Sequence, residues 1–146
     1  MITYIRQAEY PDPEDVLYYQ GRLFRIEWYY TAAGDIPALD YYQSLGETDQ
    51  ERLDLMVKYL ADNPPGTILP KTMYRVEDKA RRIYAFKPRD ERFFNFSAEG
   101  GRIIITNAYH KHSQKMSRAD LEHLETAAKR RADYLNRVRE GTYYED

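Results

Sequence analysis

The chain has 146 residues, a formal net charge of −2 at pH 7 and no cysteine. This length is typical of one domain with a single core, and the lack of cysteine excludes disulfides and thiolate zinc sites. Apolar runs are only a few residues long, as at 103–105, so we expect neither a transmembrane helix nor a signal peptide. These features favour a cytoplasmic protein with no membrane association.

Charge is unevenly distributed along the sequence. Residues 1–70 carry five cations against twelve acids, whereas residues 71–118 carry twelve cations against five acids. The near-neutral total therefore hides a basic middle segment with a balance of +7. Such asymmetry indicates either an anionic partner for this segment or a solvated basic face that neutralises the acidic first half.

The chain begins with a predicted acidic extension, a strand and a helix. Residues 1–22 are acidic and contain two prolines, and we expect this extension to pack on the domain. Residues 23–30 alternate and are rich in strand formers, which predicts a strand. Asp35 as the cap, with Pro37 in the first turn, predicts a helix to about Gly46.

A second helix is predicted from Thr48, which forms a capping box with Glu51. The run Asn63-Pro64-Pro65-Gly66 ends it. Its apolar residues fall on one stripe, which we interpret as core and not as a cofactor site: Leu53, Met56, Val57 and Leu60.

Three strands are predicted next, at 81–88, 91–98 and 102–110. A turn at 88–90 joins the first two, and a turn at 99–101, with two glycines that can adopt positive φ, joins the second and third. The pattern predicts an antiparallel meander.

The last predicted helix is capped by Ser117 with Asp120 and ends at Gly141. The domain would thus span 23–140, followed by a loose tail at 141–146. The helix has apolar residues at helical spacing: Leu121, Leu124, Ala128, Leu135 and Val138. The order of elements predicts an α+β fold, a mainly antiparallel sheet with helices packed on one face and basic residues on the open face or its rim.

Cations alternate with aromatic and β-branched residues through the segment 82–115. Such a strip can hold phosphates with its cations and stack bases on its rings. Tyr84 and Tyr109 are the candidate stacking rings, and Lys111 and Lys115 are candidate RNA contacts. We expect the cations of this segment to share one exposed surface: Lys87, Arg89, Arg92, Lys111 and Lys115.

Residues 83–89, 92–96 and 104–115, followed by a capped helix, resemble the RelE/HigB superfamily of toxins from type II toxin–antitoxin systems, with a phage-encoded branch nearest. The resemblance covers about residues 23–138 and implies a RelE-like fold. It also implies a ribosome-dependent, metal-independent endoribonuclease that needs no cofactor, cuts mRNA and is inhibited by a cognate antitoxin. In that reaction the ribose 2′-hydroxyl attacks the adjacent phosphate and leaves a 2′,3′-cyclic phosphate.

The active-site cations of that superfamily match Lys87, Arg89 and Arg92, and its basic loop matches residues 111–115. Two positions depart from it, because a lysine of some members is Ala85 here and a tyrosine of another falls near Leu121. Either the proton-transfer groups differ in this chain, or the activity is lost.

The residues themselves point to the same chemistry. Cleavage by a 2′-hydroxyl needs a base, an acid and cations for the charge on phosphorus. Guanidinium groups such as Arg89 and Arg92 suit the last role, and Lys87 or Lys115 adds a point charge. The candidate proton carriers, of which histidine needs the least tuning, are Tyr109, His110 and His112.

Each of these residues also has an ordinary structural interpretation. The arginines can form surface ion pairs, and the histidines can form surface hydrogen bonds. His110 and His112 are two apart at a strand end, which permits a metal pair, but without cysteine or a nearby acid we expect no metal site.

Two other functions remain open. One is a ParE-like toxin that inhibits DNA gyrase, and the other is a catalytically inactive, phage-derived interaction module. The cations at 87–92 and the His-Lys-His loop favour the nuclease.

Overall fold

The computed structural model describes residues 11–64, 67 and 69–144. The predictions for residues 1–10, Pro65, Gly66 and 145–146 lie outside this range. The elements in chain order are α1 Pro13–Val16, β1 Leu17–Gln20, β2 Arg25–Trp28, α2 Pro37–Ser44, α3 Glu47–Asp62, β3 Tyr74–Asp78, β4 Ile83–Phe86, β5 Glu91–Ala98, β6 Arg102–His110 and α4 Arg118–Glu140.

Within the described residues, the strands form a six-stranded sheet in the order β1-β2-β6-β5-β4-β3. All neighbours are antiparallel except β2 and β6, which run parallel with Arg25 opposite Arg102 and Trp28 opposite Ile105. The α+β class, the mainly antiparallel sheet and the β4-β5-β6 meander are confirmed. The parallel pair was not predicted, because alternation identifies a strand but not the distant strand beside it.

Helices cover both faces of the sheet, so the prediction that they pack on one face is wrong. On β6, Ile103 and Ile105 belong to the core cluster that includes Leu53 of α3. Ile104 between them packs with Tyr134 of α4 on the opposite face. Three consecutive buried isoleucines need cover on both sides, because successive strand residues point to opposite faces.

The helix starts agree with the predicted signals only in part. Pro37 occupies the first turn of α2, but Ile36 is the cap, and Asp35 instead closes a loop with Thr31 through two hydrogen bonds. Helix α3 begins at Glu47 with Gly46 as its cap, so the capping box predicted at Thr48 is wrong. The predicted capping box of α4 and the left-handed Gly141 after it are both confirmed.

The buried face of α4 differs from its apolar stripe. Leu121, Leu135 and Val138 are exposed, and the buried residues of the helix are Asp120, Leu124, Ala127, Tyr134 and Arg137. Arg137 is buried because its guanidinium donates to the Tyr30 carbonyl and lies over the Tyr30 ring. A long side chain with a paired charge can cover apolar surface, so the hydropathy pattern misplaced this face.

The described ends of the chain also pack on the sheet. Strand β1, within the segment assigned to the extension, pairs with β2. Tyr143 is only 2 % exposed, and Tyr144 Oη donates to Oε1 of the buried Glu27 at 2.8 Å. Residues 143–144 are therefore not a loose tail.

Candidate functional site

The predicted catalytic residues meet where β5 begins and β6 ends. Glu91 is paired with His110 across the two strands, and Arg92 with Tyr109. The Lys111 backbone N–H donates to the Asp90 carbonyl at 2.7 Å. The 88–90 turn and the 110–112 loop therefore lie side by side at this rim of the sheet.

His110 is held by a carboxylate that the sequence analysis did not identify. Its Nδ1 lies 2.8 Å from Oε2 of Glu91, whose side chain is only 9 % exposed, whereas the histidine side chain is 46 % exposed. Tyr41 Oη of α2 donates to Oε1 of the same carboxylate. The hydrogen bond to Glu91 raises the pKa of His110 above its usual value, although partial burial acts in the opposite direction.

Glu91 could have been found from the sequence by a register argument. Counting back from the 99–101 turn places it close to the level of the last residues of the next strand. It was missed because no acid was expected near the two histidines.

His112 lies beside His110 on the exposed rim. The two ring centroids are 4.8 Å apart, with an angle of 65° between the ring planes. In the part of the chain that the structure describes, no group of three or more histidines and acids is placed to hold a metal ion. The pair therefore offers two neighbouring proton carriers.

Arg92 does not lie on an exposed surface, contrary to prediction. It is 8 % exposed, and its Nη1 donates to the carbonyls of Arg89 at 2.8 Å and Glu91 at 2.9 Å. A charged donor that bonds two backbone carbonyls of the same turn stabilises the conformation of that turn. Arg92 thus positions Arg89 and Glu91 and does not present its guanidinium to solvent.

Lys111 is likewise engaged within the fold. Its Nζ lies 2.6 Å from Oδ2 of Asp120, and its side chain is 13 % exposed. Burial favours a raised pKa for Asp120, but the hydrogen bonds from Lys111 and Ser117 outweigh it, and the pKa is lowered. The predicted single surface of five exposed cations is wrong, because the turn carbonyls and the α4 cap engage two of them.

Tyr109 is unsuited to either role predicted for it. It is buried, and its ring stacks on His123 at 4.1 Å and on Phe94 at 5.7 Å, which leaves little room for a base. Burial, with the hydrogen bond to Asp120, raises its pKa, so it is a poor proton carrier at neutral pH. Tyr84 is half-buried and stacks on Tyr74 at 5.5 Å.

Three predicted cations remain available to a ligand. Arg89 and Lys115 are exposed, and neither side chain forms an ion pair within the described residues. Lys87 is half-buried and donates to the Lys71 carbonyl at 3.1 Å. Burial, and then the charge of Arg92, lowers the pKa of Lys87.

Arg89 has an unusual backbone conformation. Its φ is 58°, in the left-handed region, which costs a non-glycine residue about 1–2 kcal/mol. Strain of this kind is often retained where a side chain has a task. Arg89 and Lys87 also line a groove of about 660 Å³, together with the apolar residues Leu55, Met56 and Met73.

No protein-family model matches the chain, and no curated protein matches it. Among the described residues, no helix combines the length and apolar character needed to cross a membrane. The candidate functional site is the rim site, which comprises the 88–90 turn, Glu91 and residues 110–112.

Proposed function

We propose that the chain is a metal-independent endoribonuclease that cuts mRNA on the ribosome at the rim site. The observation that carries the proposal is the placement of His110, held by a buried carboxylate and exposed beside His112. Arg89, in the adjoining turn, supplies a cation with no competing ion pair among the described residues. Acid, base and phosphate ligand are the three parts that this reaction needs.

The reaction uses only groups of the protein and the RNA. One carrier accepts the proton of the ribose 2′-hydroxyl, and the resulting oxygen attacks the adjacent phosphorus. The bond from phosphorus to the 5′-oxygen breaks, and a second carrier protonates that oxygen. The products are a 2′,3′-cyclic phosphate and a 5′-hydroxyl. Arg89 offers two donors to the phosphate oxygens as negative charge increases on them.

The resemblance of residues 83–115 to the RelE/HigB superfamily supports the cellular context. It favours the ribosome and mRNA as substrate, a cognate antitoxin as inhibitor and the cytoplasm as location. The engagement of Arg92 and Lys111 within the fold shifts the phosphate contacts to Arg89, Lys87 and Lys115.

The same engagement favours a second candidate, the catalytically inactive interaction module. Two cations matched by the resemblance are committed to structure, so a chain with this sequence could retain the fold after losing activity. The two candidates differ in whether His110 and Arg89 are needed for toxicity.

Induced expression in bacteria, with primer extension on a translated mRNA, tests the proposal. We expect growth arrest with cuts in phase with codons, and no cuts with His110→Ala, which removes an exposed side chain and should leave the fold intact. Arrest with DNA damage and intact mRNA would instead indicate a gyrase inhibitor. Absence of arrest would indicate the interaction module.

A further inference from the structure

We propose that Glu91 and Tyr41 are positioning residues that fix the ring of His110 and make this histidine the acid of the cleavage step. The proposal rests on the nuclease function proposed above. The three residues come from separate elements and form one hydrogen-bonded arrangement, Tyr41–Glu91–His110. Only the histidine of the three is exposed.

The carboxylate of Glu91 is fixed at both oxygens. Oε1 accepts from Tyr41 Oη, and Oε2 contacts His110 Nδ1. Tyr41 is itself held in α2, with its ring edge-on to Phe93 at 5.8 Å. A buried carboxylate with both oxygens engaged cannot rotate away from the histidine, so the imidazole orientation is set by α2 and β5 together.

This contact decides which ring nitrogen exchanges protons. With Nδ1 directed at the carboxylate, that nitrogen carries a hydrogen, and Nε2 is the atom left for a ligand. An opposite charge at hydrogen-bond distance favours the protonated ring. The imidazolium form can donate its Nε2 proton to the departing 5′-oxygen, which is the step that an acid performs.

The other groups around His110 act in the same direction. Asp90 from the turn and Asp49 from α3 add negative charge and raise the pKa of His110 further, against the lowering by burial. Tyr41 from α2 donates to Glu91 and acts on the orientation of the carboxylate, not by adding negative charge. His112 from the loop lies 4.8 Å away and is placed to act as the base that accepts the 2′-hydroxyl proton.

Titration of His110 by NMR tests the positioning without any assay of activity. We expect a lower His110 pKa in Glu91→Gln than in the wild type, because the negative charge beside the ring is removed. Tyr41→Phe keeps that charge and should change the His110 pKa by less than Glu91→Gln does. The matched control is Glu77→Gln, because Glu77 has a side chain 10 % exposed and is paired with Arg75 instead of a histidine. An unchanged His110 pKa in Glu91→Gln would overturn the proposal.

The pH dependence of cleavage tests the acid role. His110→Ala should lose about 10²–10⁴-fold in rate, the usual contribution of a positioned acid. Glu91→Gln should lose activity at neutral pH and recover it as the pH is lowered. The reason is that the cleavage rate falls above the pKa of the acid, and this variant lowers the pKa of His110. A uniform loss at every pH, at unchanged melting temperature, would refute the acid role.

The two proposals fail separately. If the wild type cuts no mRNA, the nuclease function and the acid role both fall, while the NMR titration still decides whether Glu91 positions His110. If cleavage occurs and is lost in His110→Ala, but Glu91→Gln changes neither the His110 pKa nor the pH profile, the nuclease function stands and this inference fails.

Discussion

At the scale of single residues, Arg92 and Arg89 have different tasks in the rim site. Arg92 is buried and bonds the carbonyls that define the turn, whereas Arg89, three residues earlier, is exposed on a left-handed backbone. The buried arginine stabilises the conformation in which the exposed one is presented. The strain at Arg89 is thus offset by the contacts of Arg92.

Replacing Arg89 separates backbone strain from phosphate binding. Arg89→Gly should be more stable than Arg89→Ala by about 1 kcal/mol, because glycine tolerates the left-handed φ of 58°. Both variants should lose about 10²–10³-fold in cleavage rate, the typical loss when one donor to a developing charge is removed. Urea unfolding and single-turnover cleavage on the same preparations measure the two effects. Equal stability of the two variants would contradict the strain, and retained cleavage would contradict the role of the guanidinium.

At the scale of elements, a bulge in β6 decides to which face of the sheet His110 points. The register shifts between Phe94 and Asn95 of β5, which pair with Asn107 and Ile105, so Thr106 is an extra residue in β6. After this bulge the strand residues exchange faces, and His110 points to the side of Tyr41 and Glu91. Without the bulge, His110 would lie on the α4 face, away from both.

The start of α4 makes a pH-dependent contribution to stability. Asp120 completes the capping box with Ser117 and binds Lys111, and these contacts lower its pKa below 3.8. Because the folded pKa is lowered, the stabilisation is present above the unfolded pKa and is lost as the pH falls through the folded pKa. Wild-type stability should therefore decrease on acidification below about pH 4.

The substitution Asp120→Asn tests the contribution of the Asp120 charge to stability. We expect the variant to be less stable than the wild type at pH 7 by about 1–3 kcal/mol, the usual contribution of a charged hydrogen bond in a partly buried site. The difference should shrink toward pH 2, and urea unfolding at both pH values measures it. A stability difference that does not depend on pH would show that Asp120 acts through its shape and not its charge.

At the scale of the whole molecule, sequence patterns predicted the elements better than their partners. Alternation and turn glycines located β4 to β6, since these signals are local. The parallel contact of β2 with β6, the second covered face and the burial of Arg137 depend on residues far apart in sequence. For the site, the rim location of His110 was predictable, but the contact of Tyr41 with Glu91 was not, because no local pattern reports a contact between residues 50 apart in sequence.

At this scale, the number of cations that can contact RNA depends on the whole charged surface. The salt dependence of RNA affinity measures this number. The logarithm of the affinity for single-stranded nucleic acid falls with the logarithm of the salt concentration, by about 0.7 for each phosphate neutralised. Arg89→Ala and Lys115→Ala should each make the slope shallower by about 0.7, because both side chains are exposed and form no ion pair among the described residues. The two engaged cations should not affect the slope.

Lys111→Ala should leave the slope unchanged, because Asp120 already neutralises this lysine. Arg92→Ala should reduce stability with little effect on the slope, since its guanidinium is bonded to the turn carbonyls. Equal changes in slope for all four variants would show that bound RNA draws Arg92 and Lys111 out of these contacts, and the site would then be the single basic surface that the sequence predicted.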